Sequence, residues 1–181
     1  MPKTPPPPPP LPILPDVLQP RLRVVFCGTA AGRRSAVEGA YYAHPGNLFW
    51  RALFLAGFTP RLLTPQEFPK LPPFGLGLTD LAKHHAGNDD ELPLGAFDVP
   101  ALVTKVEKYA PGILALTSKN AARALLGRAA AYGLQGSSIG GTRLFVLPSP
   151  SGQARGHWQL EPWMVLARLA TSPGIPSNAM P

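Results

Sequence analysis

Short apolar runs alternate along this chain with segments in which apolar residues recur at helical spacing. Residues 22–27 (Leu-Arg-Val-Val-Phe-Cys) are almost continuously apolar, which predicts a central strand that is buried on both faces. Three further short runs, at residues 75–79, 113–116 and 143–147, predict three more strands. The hydrophobic pattern therefore predicts four strands in all.

Four helices are predicted between and after these strands, over about 47–57, 98–109, 118–126 and 161–170. Asn47, Asp98 and Ser118 stand at the starts of three of them, where a side-chain oxygen can accept a backbone hydrogen bond. Strands that alternate with helices predict an α/β fold, a three-layer α/β/α sandwich around a central, mainly parallel four-stranded sheet. In such sheets, ligands bind outside the carboxyl ends of the strands.

The two ends of the chain differ from the middle in composition. Residues 1–20 contain an unbroken proline run, Pro5 to Pro10, followed by three more prolines. A segment without backbone donors cannot form a helix, so we predict a disordered or polyproline II tail over these twenty residues. Residues 171–181 are also poor in structure-forming residues and predict a flexible second tail. The predicted domain spans residues 21–170.

Charge and cysteine content add weaker constraints. Lys and Arg outnumber Asp and Glu by 17 to 10, and the formal net charge of +7 favours an anionic partner without requiring one. Cys27 is the only cysteine, which excludes an intrachain disulfide and, within an apolar strand, predicts a buried, inert thiol. No apolar run reaches the length of a membrane span, and the proline-rich start has no signal-peptide core. We expect a soluble, cytoplasmic monomer with no membrane attachment.

Two segments near the first strand carry candidate binding chemistry. Residues 28–32 (Gly-Thr-Ala-Ala-Gly) form a predicted glycine-bounded loop whose small side chains leave the backbone N–H groups to bind a carbonyl or an anion. The alternative is a simple tight turn. Tyr41 and Tyr42 follow, in a stretch between strand and helix where a flat ring can stack on a base. Packing in the core is the alternative for both rings.

Polar side chains that could act on a substrate come next. Asp80 follows the second predicted strand, where a carboxylate can position water or stabilise positive charge on a sugar. Its alternative role is to cap the next turn. Asn47 is a candidate for catalysis or, structurally, a helix cap. His84 and His85 lie beside acidic residues, but we interpret them as part of a solvated loop and predict no metal site.

These segments resemble the motifs of the uracil-DNA glycosylase superfamily, and most closely those of its mismatch-specific uracil- and thymine-DNA glycosylase branch. The resemblance rests on residues 26–32, on 41–50 (Tyr-Tyr-Ala-His-Pro-Gly-Asn-Leu-Phe-Trp) and on 147–155 (Leu-Pro-Ser-Pro-Ser-Gly-Gln-Ala-Arg). It extends over about 23–170. One departure is central, because Ala30 stands where that branch carries its water-activating Asn.

The resemblance implies a monofunctional DNA glycosylase that hydrolyses the N-glycosidic bond of uracil after flipping the nucleotide out of DNA, with no cofactor. It implies a base-binding site made of Gly28, Thr29, Ala30, Ala31 and Tyr42. It also implies a loop that fills the gap in the helix and grips phosphate, made of Ser149, Ser151, Gly152, Gln153, Ala154 and Arg155.

Catalysis and substrate range stay open at this point. Because Ala30 cannot hold a water, Asp80 or Asn47 is expected to replace the missing Asn. Other deaminated bases remain candidates beside uracil, and single-stranded DNA remains a candidate beside duplex DNA. If neither residue substitutes, the expectation becomes a protein that binds uracil or abasic DNA with little or no catalysis. A third alternative is a small α/β protein that binds free nucleotides.

Overall fold

The computed structural model describes residues 6–152, 156 and 158–172. In this part of the chain, five strands form one sheet: β1 (Val24–Ala31), β2 (Leu76–Ala86), β3 (Ile113–Leu116), β4 (Gly133–Ile139) and β5 (Thr142–Val146). Their order is β2-β1-β3-β5-β4, and every neighbouring pair is parallel except β4 with β5. The mainly parallel α/β sheet is confirmed. The predicted strand count is one short, because the polar, glycine-containing β4 has no apolar run to mark it.

Helices cover both faces of the sheet. They are α1 (Arg33–Glu38), α2 (Phe49–Leu55), α3 (Val99–Tyr109), α4 (Lys119–Leu126) and α5 (Glu161–Thr171). All but α1 correspond to predicted helices. Asp98 and Ser118 cap α3 and α4 as predicted, since each side chain accepts a backbone N–H from three residues ahead. Among the helices of the described residues, none combines the length and apolarity needed to cross a bilayer.

The core lies on both sides of β1, as its continuous apolar sequence predicts. Val24 and Phe26 pack in one buried cluster with residues of α2 and α5, whereas Val25 and Cys27 pack in a second cluster with residues of α3 and α4. Successive side chains of a strand point to opposite faces, so a central strand of three layers needs apolar residues at every position. Cys27 is fully buried, and burial raises the pKa of its thiol.

A strap formed by residues 13–17 runs along the outer edge of β2, where the sequence predicted a disordered tail. Val17 and Leu78 exchange two backbone hydrogen bonds, of 2.9 and 3.0 Å, in an antiparallel bridge. The Ile13 N–H donates to the carbonyl of Lys83 at 2.7 Å. An edge strand presents unpaired backbone groups, and the strap satisfies some of them.

Packing also fixes the strap in place. Leu14 is 1% exposed, and Val17 is also buried in the core cluster that contains Phe26. A Cβ added at Gly77 would lie only 2.4 Å from the Val17 carbonyl oxygen, so the close approach of the strap to β2 requires glycine there. Burial of Leu14 and Val17, together with the close approach at Gly77, therefore holds this part of the predicted tail in one ordered conformation despite its prolines.

Candidate active site

The carboxyl ends of β1, β2 and β3 open into a cleft of about 1060 Å³. In parallel α/β sheets this is the edge at which ligands bind. The residues at the end of β1 line one side of the cleft, and Ser149 to Gly152, after β5, line another. Described residues from all three segments that carry the family resemblance thus line the same cavity.

The segment after Cys27 is part of β1, not the loop that the sequence predicted. Gly28 pairs with Asp80 on β2, and the parallel register continues to Ala30 before it becomes irregular. Pairing with β3 ends earlier, at Cys27 and Leu116. Because β2 is longer than β3, the last residues of β1 pair with β2 on one edge. The other edge of β1, where β3 has ended, borders the cleft. The backbone of residues 28–31 is therefore held rigidly at the cavity wall.

Asp80 lies on β2 directly opposite Gly28 and is 6% exposed. A Cβ added at Gly28 would lie 2.8 Å from Asp80 Oδ1, so the carboxyl occupies the space that the glycine leaves empty. Burial raises the pKa of Asp80 to about 7, against the attraction of the Lys83 ammonium and the hydrogen bond from the Gly28 backbone. Asp80 is thus a buried carboxyl group that titrates near neutral pH inside a cleft, a combination typical of functional sites.

Tyr42 lies beside this carboxyl group. Its ring stacks on Phe49 with the centroids 3.9 Å apart, and its hydroxyl lies 3.4 Å from Thr117 Oγ1. The backbone of Tyr42 has φ +52°, an unfavourable conformation for a bulky residue that the surrounding packing maintains. Burial raises the pKa of its phenol, which keeps the hydroxyl neutral. Tyr41, by contrast, is 2% exposed and belongs to the core.

Thr117 is a site residue that the sequence analysis missed. It follows β3 directly, is buried, and donates a hydrogen bond of 3.3 Å to the Cys27 carbonyl. The position that a Cβ would take at Gly28 lies within 3.5 Å of three side chains, those of Asp80, Tyr42 and Thr117. The rule that ligands gather at strand ends, which singled out Asp80, also applies to Thr117.

Asn47 lies in the turn before α2 and lines the cleft. Its Oδ1 accepts the N–H of Phe49, the first residue of α2, at 2.9 Å, so its side chain has a structural partner there although the N-cap position itself is Leu48. The segment after β5 packs onto this turn, because the Leu48 N–H donates to the Pro150 carbonyl at 2.8 Å. Ser149 Oγ accepts the N–H of Ser151 at 3.2 Å. The rest of the predicted DNA-gripping loop, Gln153, Ala154 and Arg155, lies outside the described residues.

The loop that follows β2 closes another side of the cleft. Asp89 accepts hydrogen bonds of 2.6 Å from both Thr29 Oγ1 and Asn120 Nδ2, which ties the end of β1 to the start of α4. Arg33 forms an ion pair with Glu91 in the same loop. The sequence analysis did not predict these contacts, because their partners are far apart along the chain.

His84 and His85 lie at the exposed end of β2, in the strand and not in the predicted loop. Within the described ranges, no three or more His, Cys, Asp or Glu side chains are grouped so as to hold a metal ion. The chemistry that the site offers is that of a buried carboxyl group next to an aromatic ring and a rigid backbone. Such a site can bind a planar ligand and position a water molecule beside it.

The fold and the site together define a three-layer α/β protein with a ligand cleft at the carboxyl ends of its parallel strands. The sequence model of the Uracil DNA glycosylase superfamily matches residues 15–171, and the chain belongs to that superfamily. Membership in this superfamily supports the interpretation that the protein is a glycosylase and that its substrate is DNA. The matched range begins within the strap and includes its residues 15–17.

A solved structure shares the fold. The solution NMR structure of a Methanosarcina acetivorans protein, provisionally named a uracil DNA glycosylase, is similar to this chain with a TM-score of 0.61. The two sequences are 22% identical, and the match covers 87% of this chain and 96% of that one. At this identity the likeness extends to the fold alone.

Proposed function

We propose that the protein is a monofunctional DNA glycosylase that removes uracil from DNA, in the manner of the mismatch-specific branch of its superfamily. The observation that carries this proposal is the position of Asp80, a buried carboxyl group beside the Tyr42 ring in the cleft. An aromatic ring and a carboxyl group on one cavity wall suit a flipped nucleobase and the sugar attached to it. Other deaminated bases are further candidate substrates.

Binding of the base would use the Tyr42 ring and the backbone of residues 28–31. One face of the ring is covered by Phe49, so its stacking plane is fixed before the base arrives. Extrusion of a nucleotide costs a few kcal/mol, and less at a mismatch. The loop that begins at Ser149 would enter the gap that the base leaves and so offset part of that cost; the support is that Ser149 to Gly152 line the cleft and that Pro150 accepts a hydrogen bond from the turn before α2.

Hydrolysis breaks the bond between C1′ of the sugar and N1 of uracil, and the electron pair leaves with the base. Backbone N–H groups near Thr29 would stabilise the uracil anion. The ionised Asp80 carboxylate would stabilise the positive charge on the sugar, orient the water whose oxygen bonds to C1′, and accept the proton that this water loses. We assign this role to Asp80 in preference to Asn47, whose side-chain oxygen already accepts the Phe49 N–H.

The direct test is single-turnover cleavage of oligonucleotides that carry one uracil opposite guanine, opposite adenine, or in a single strand. We expect free uracil and an alkali-labile abasic site, with faster cleavage opposite guanine than opposite adenine because the mismatched pair opens more easily. Thymine-guanine and undamaged duplexes serve as controls. Tight retention of uracil DNA without strand breaks would instead favour a binding protein, which the alanines at positions 30 and 31 make the second candidate.

Tyr42→Ala is expected to weaken the processing of uracil DNA by about tenfold to a hundredfold, because stacking of an aromatic ring on a base contributes about 1–3 kcal/mol. Tyr42→Phe keeps the ring and loses only the 3.4 Å contact with Thr117, so it should stay close to wild type. The measurements are the single-turnover rate at subsaturating protein and the melting temperature of each variant. Equal rates for both variants would remove Tyr42 from the base-binding site.

A further inference from the structure

The loop that follows β2, residues 87–91, is attached to the end of β1. The Gly87 N–H donates to the Ala31 carbonyl at 2.9 Å. Asn88 and Glu91 then form a reciprocal capping box, in which the side chain of each residue accepts the backbone N–H of the other. The loop is therefore held both to β1 and within itself.

Asp89 in this loop uses both of its carboxylate oxygens to connect two elements of the fold. Its Oδ1 accepts the Thr29 hydroxyl at 2.6 Å, and its Oδ2 accepts the Asn120 side-chain amide, also at 2.6 Å. Thr29 belongs to β1, whereas Asn120 belongs to α4, the element that follows β3. Hydrogen bonds to an ionised acceptor are shorter and stronger than those between neutral groups. We call these two hydrogen bonds the Asp89 bridge.

The backbone of Thr29 faces the edge of β1 that β3 leaves open. The Thr117 N–H donates to the Cys27 carbonyl at 3.0 Å, so the backbone groups of Cys27 face β3, and the pairing of the two strands ends there. Along a strand, the backbone groups of every second residue point to the same edge. The N–H and C=O of Thr29 therefore face the same edge as those of Cys27, one step beyond the end of the ladder, where Thr29 lines the cleft.

We propose that Asp89 is a positioning residue of the active site, which links the open edge of β1 to α4 and holds the Thr29 N–H in place for the carbonyl oxygen of the departing base. The inference rests on the base-binding role proposed above for residues 28–31. A donor stabilises a leaving anion most when its position is fixed before the reaction, because no reorganisation is then needed. The Asp89 bridge supplies, through the Thr29 side chain, the restraint that β3 supplies as far as Cys27.

The test compares Asp89→Ala with wild type in single-turnover cleavage of DNA that carries uracil or 5-fluorouracil opposite guanine, at saturating protein. Fluorine stabilises the departing anion, so cleavage of 5-fluorouracil depends less on the Thr29 N–H than cleavage of uracil does. We expect the rate of Asp89→Ala to fall by about tenfold to a hundredfold on uracil and by a smaller factor on 5-fluorouracil. A mere loss of folded protein would lower both rates by the same factor.

Matched variants locate the effect in the Asp89 bridge. Thr29→Val removes the hydroxyl that Asp89 accepts, so the double variant with Asp89→Ala should lose no more than the more affected single variant. Thr29→Ser keeps a hydroxyl and should rescue most of the loss seen in Thr29→Val. Asp90→Ala removes the neighbouring carboxylate, which makes neither contact, and its rate should stay within a few-fold of wild type. Additive losses in Asp89→Ala and Thr29→Val would show that the two residues act independently and would overturn the inference.

A measurement on the free protein separates this inference from the proposed function. Nitrogen relaxation of the Thr29 amide gives its order parameter whether or not the protein cleaves DNA. We expect an order parameter of about 0.85 in wild type and in Asp90→Ala, and a fall toward about 0.6 in Asp89→Ala. If the order parameter falls but wild type cleaves no uracil DNA, the proposed function fails while the positioning of Thr29 by Asp89 stands. An unchanged order parameter, or equal losses on uracil and 5-fluorouracil, would overturn the inference.

Discussion

Replacing Asp80 by asparagine is expected to remove most of the glycosylase activity while stabilising the folded protein above neutral pH. A carboxylate that acts on the transition state contributes about 10²–10⁴ in rate, and asparagine cannot carry the negative charge. The single-turnover rate on uracil opposite guanine should fall by about that factor. Full activity in Asp80→Asn would overturn the catalytic assignment and return attention to Asn47.

The effect on stability follows from the raised pKa of Asp80. Burial raises this pKa from an ordinary value of 3.8 to about 7, so the folded protein binds the proton more tightly than the unfolded chain does. The free energy of unfolding therefore falls as pH rises between these two values, and the whole loss is present above pH 7. An uncharged asparagine avoids this loss, which we put on the order of 2 kcal/mol after allowing for water penetration.

Melting curves at two pH values test the stability prediction. At pH 8 the Asp80→Asn variant should melt about 4–8 °C above wild type, since a protein of this size gains about 2–4 °C per kcal/mol. At pH 4 the difference should largely vanish, because Asp80 is then protonated in the folded wild type. An equal difference at both pH values would show that asparagine stabilises by packing and not through charge.

Local sequence signals account for most of the fold. The apolar runs predicted β1, β2, β3 and β5, and helical spacing predicted four of the five described helices, because these elements bury their own apolar residues. The elements that were missed or misassigned depend on distant partners. The end of β1 looks like a loop until β2 pairs with it, and the strap looks disordered until Leu14 and Val17 reach the core.

For the candidate site too, the residues marked by local sequence motifs could be predicted, and those that depend on distant contacts could not. Asp80 and Tyr42 could be proposed from recognisable local motifs, although Asp80 lies within β2 and not after it, because the strand continues beyond the apolar run that predicted it. Thr117 could have been found by the rule that ligands gather at strand ends. Asp89 could not, because its role comes from contacts with residues more than thirty positions away, Thr29 and Asn120. Such long-range contacts leave no periodicity in the sequence.

Gly28→Ala is expected to reduce the single-turnover rate by about 10² or more, because it displaces the carboxyl group on which catalysis depends. The new Cβ would lie 2.8 Å from Asp80 Oδ1 and 3.3 Å from the Tyr42 hydroxyl. The backbone cannot yield, since Gly28 is paired with Asp80 in the β1–β2 ladder. The carboxyl group must therefore rotate away, and we also expect a loss of stability of about 1–3 kcal/mol from overpacking.

Gly32→Ala is the matched control, because it adds the same methyl group four residues further along. No atom lies within 4 Å of the Cβ position at Gly32, and its φ of −64° suits any residue. Its stability should change by less than about 0.5 kcal/mol. Its rate should stay within a few-fold of wild type, which separates a specific clash at Asp80 from a general effect of added bulk at this wall of the cleft. Equal losses in the two variants would show that an added methyl group at either glycine is harmful for a general reason, and that the empty space at Gly28 is not what places the carboxyl group.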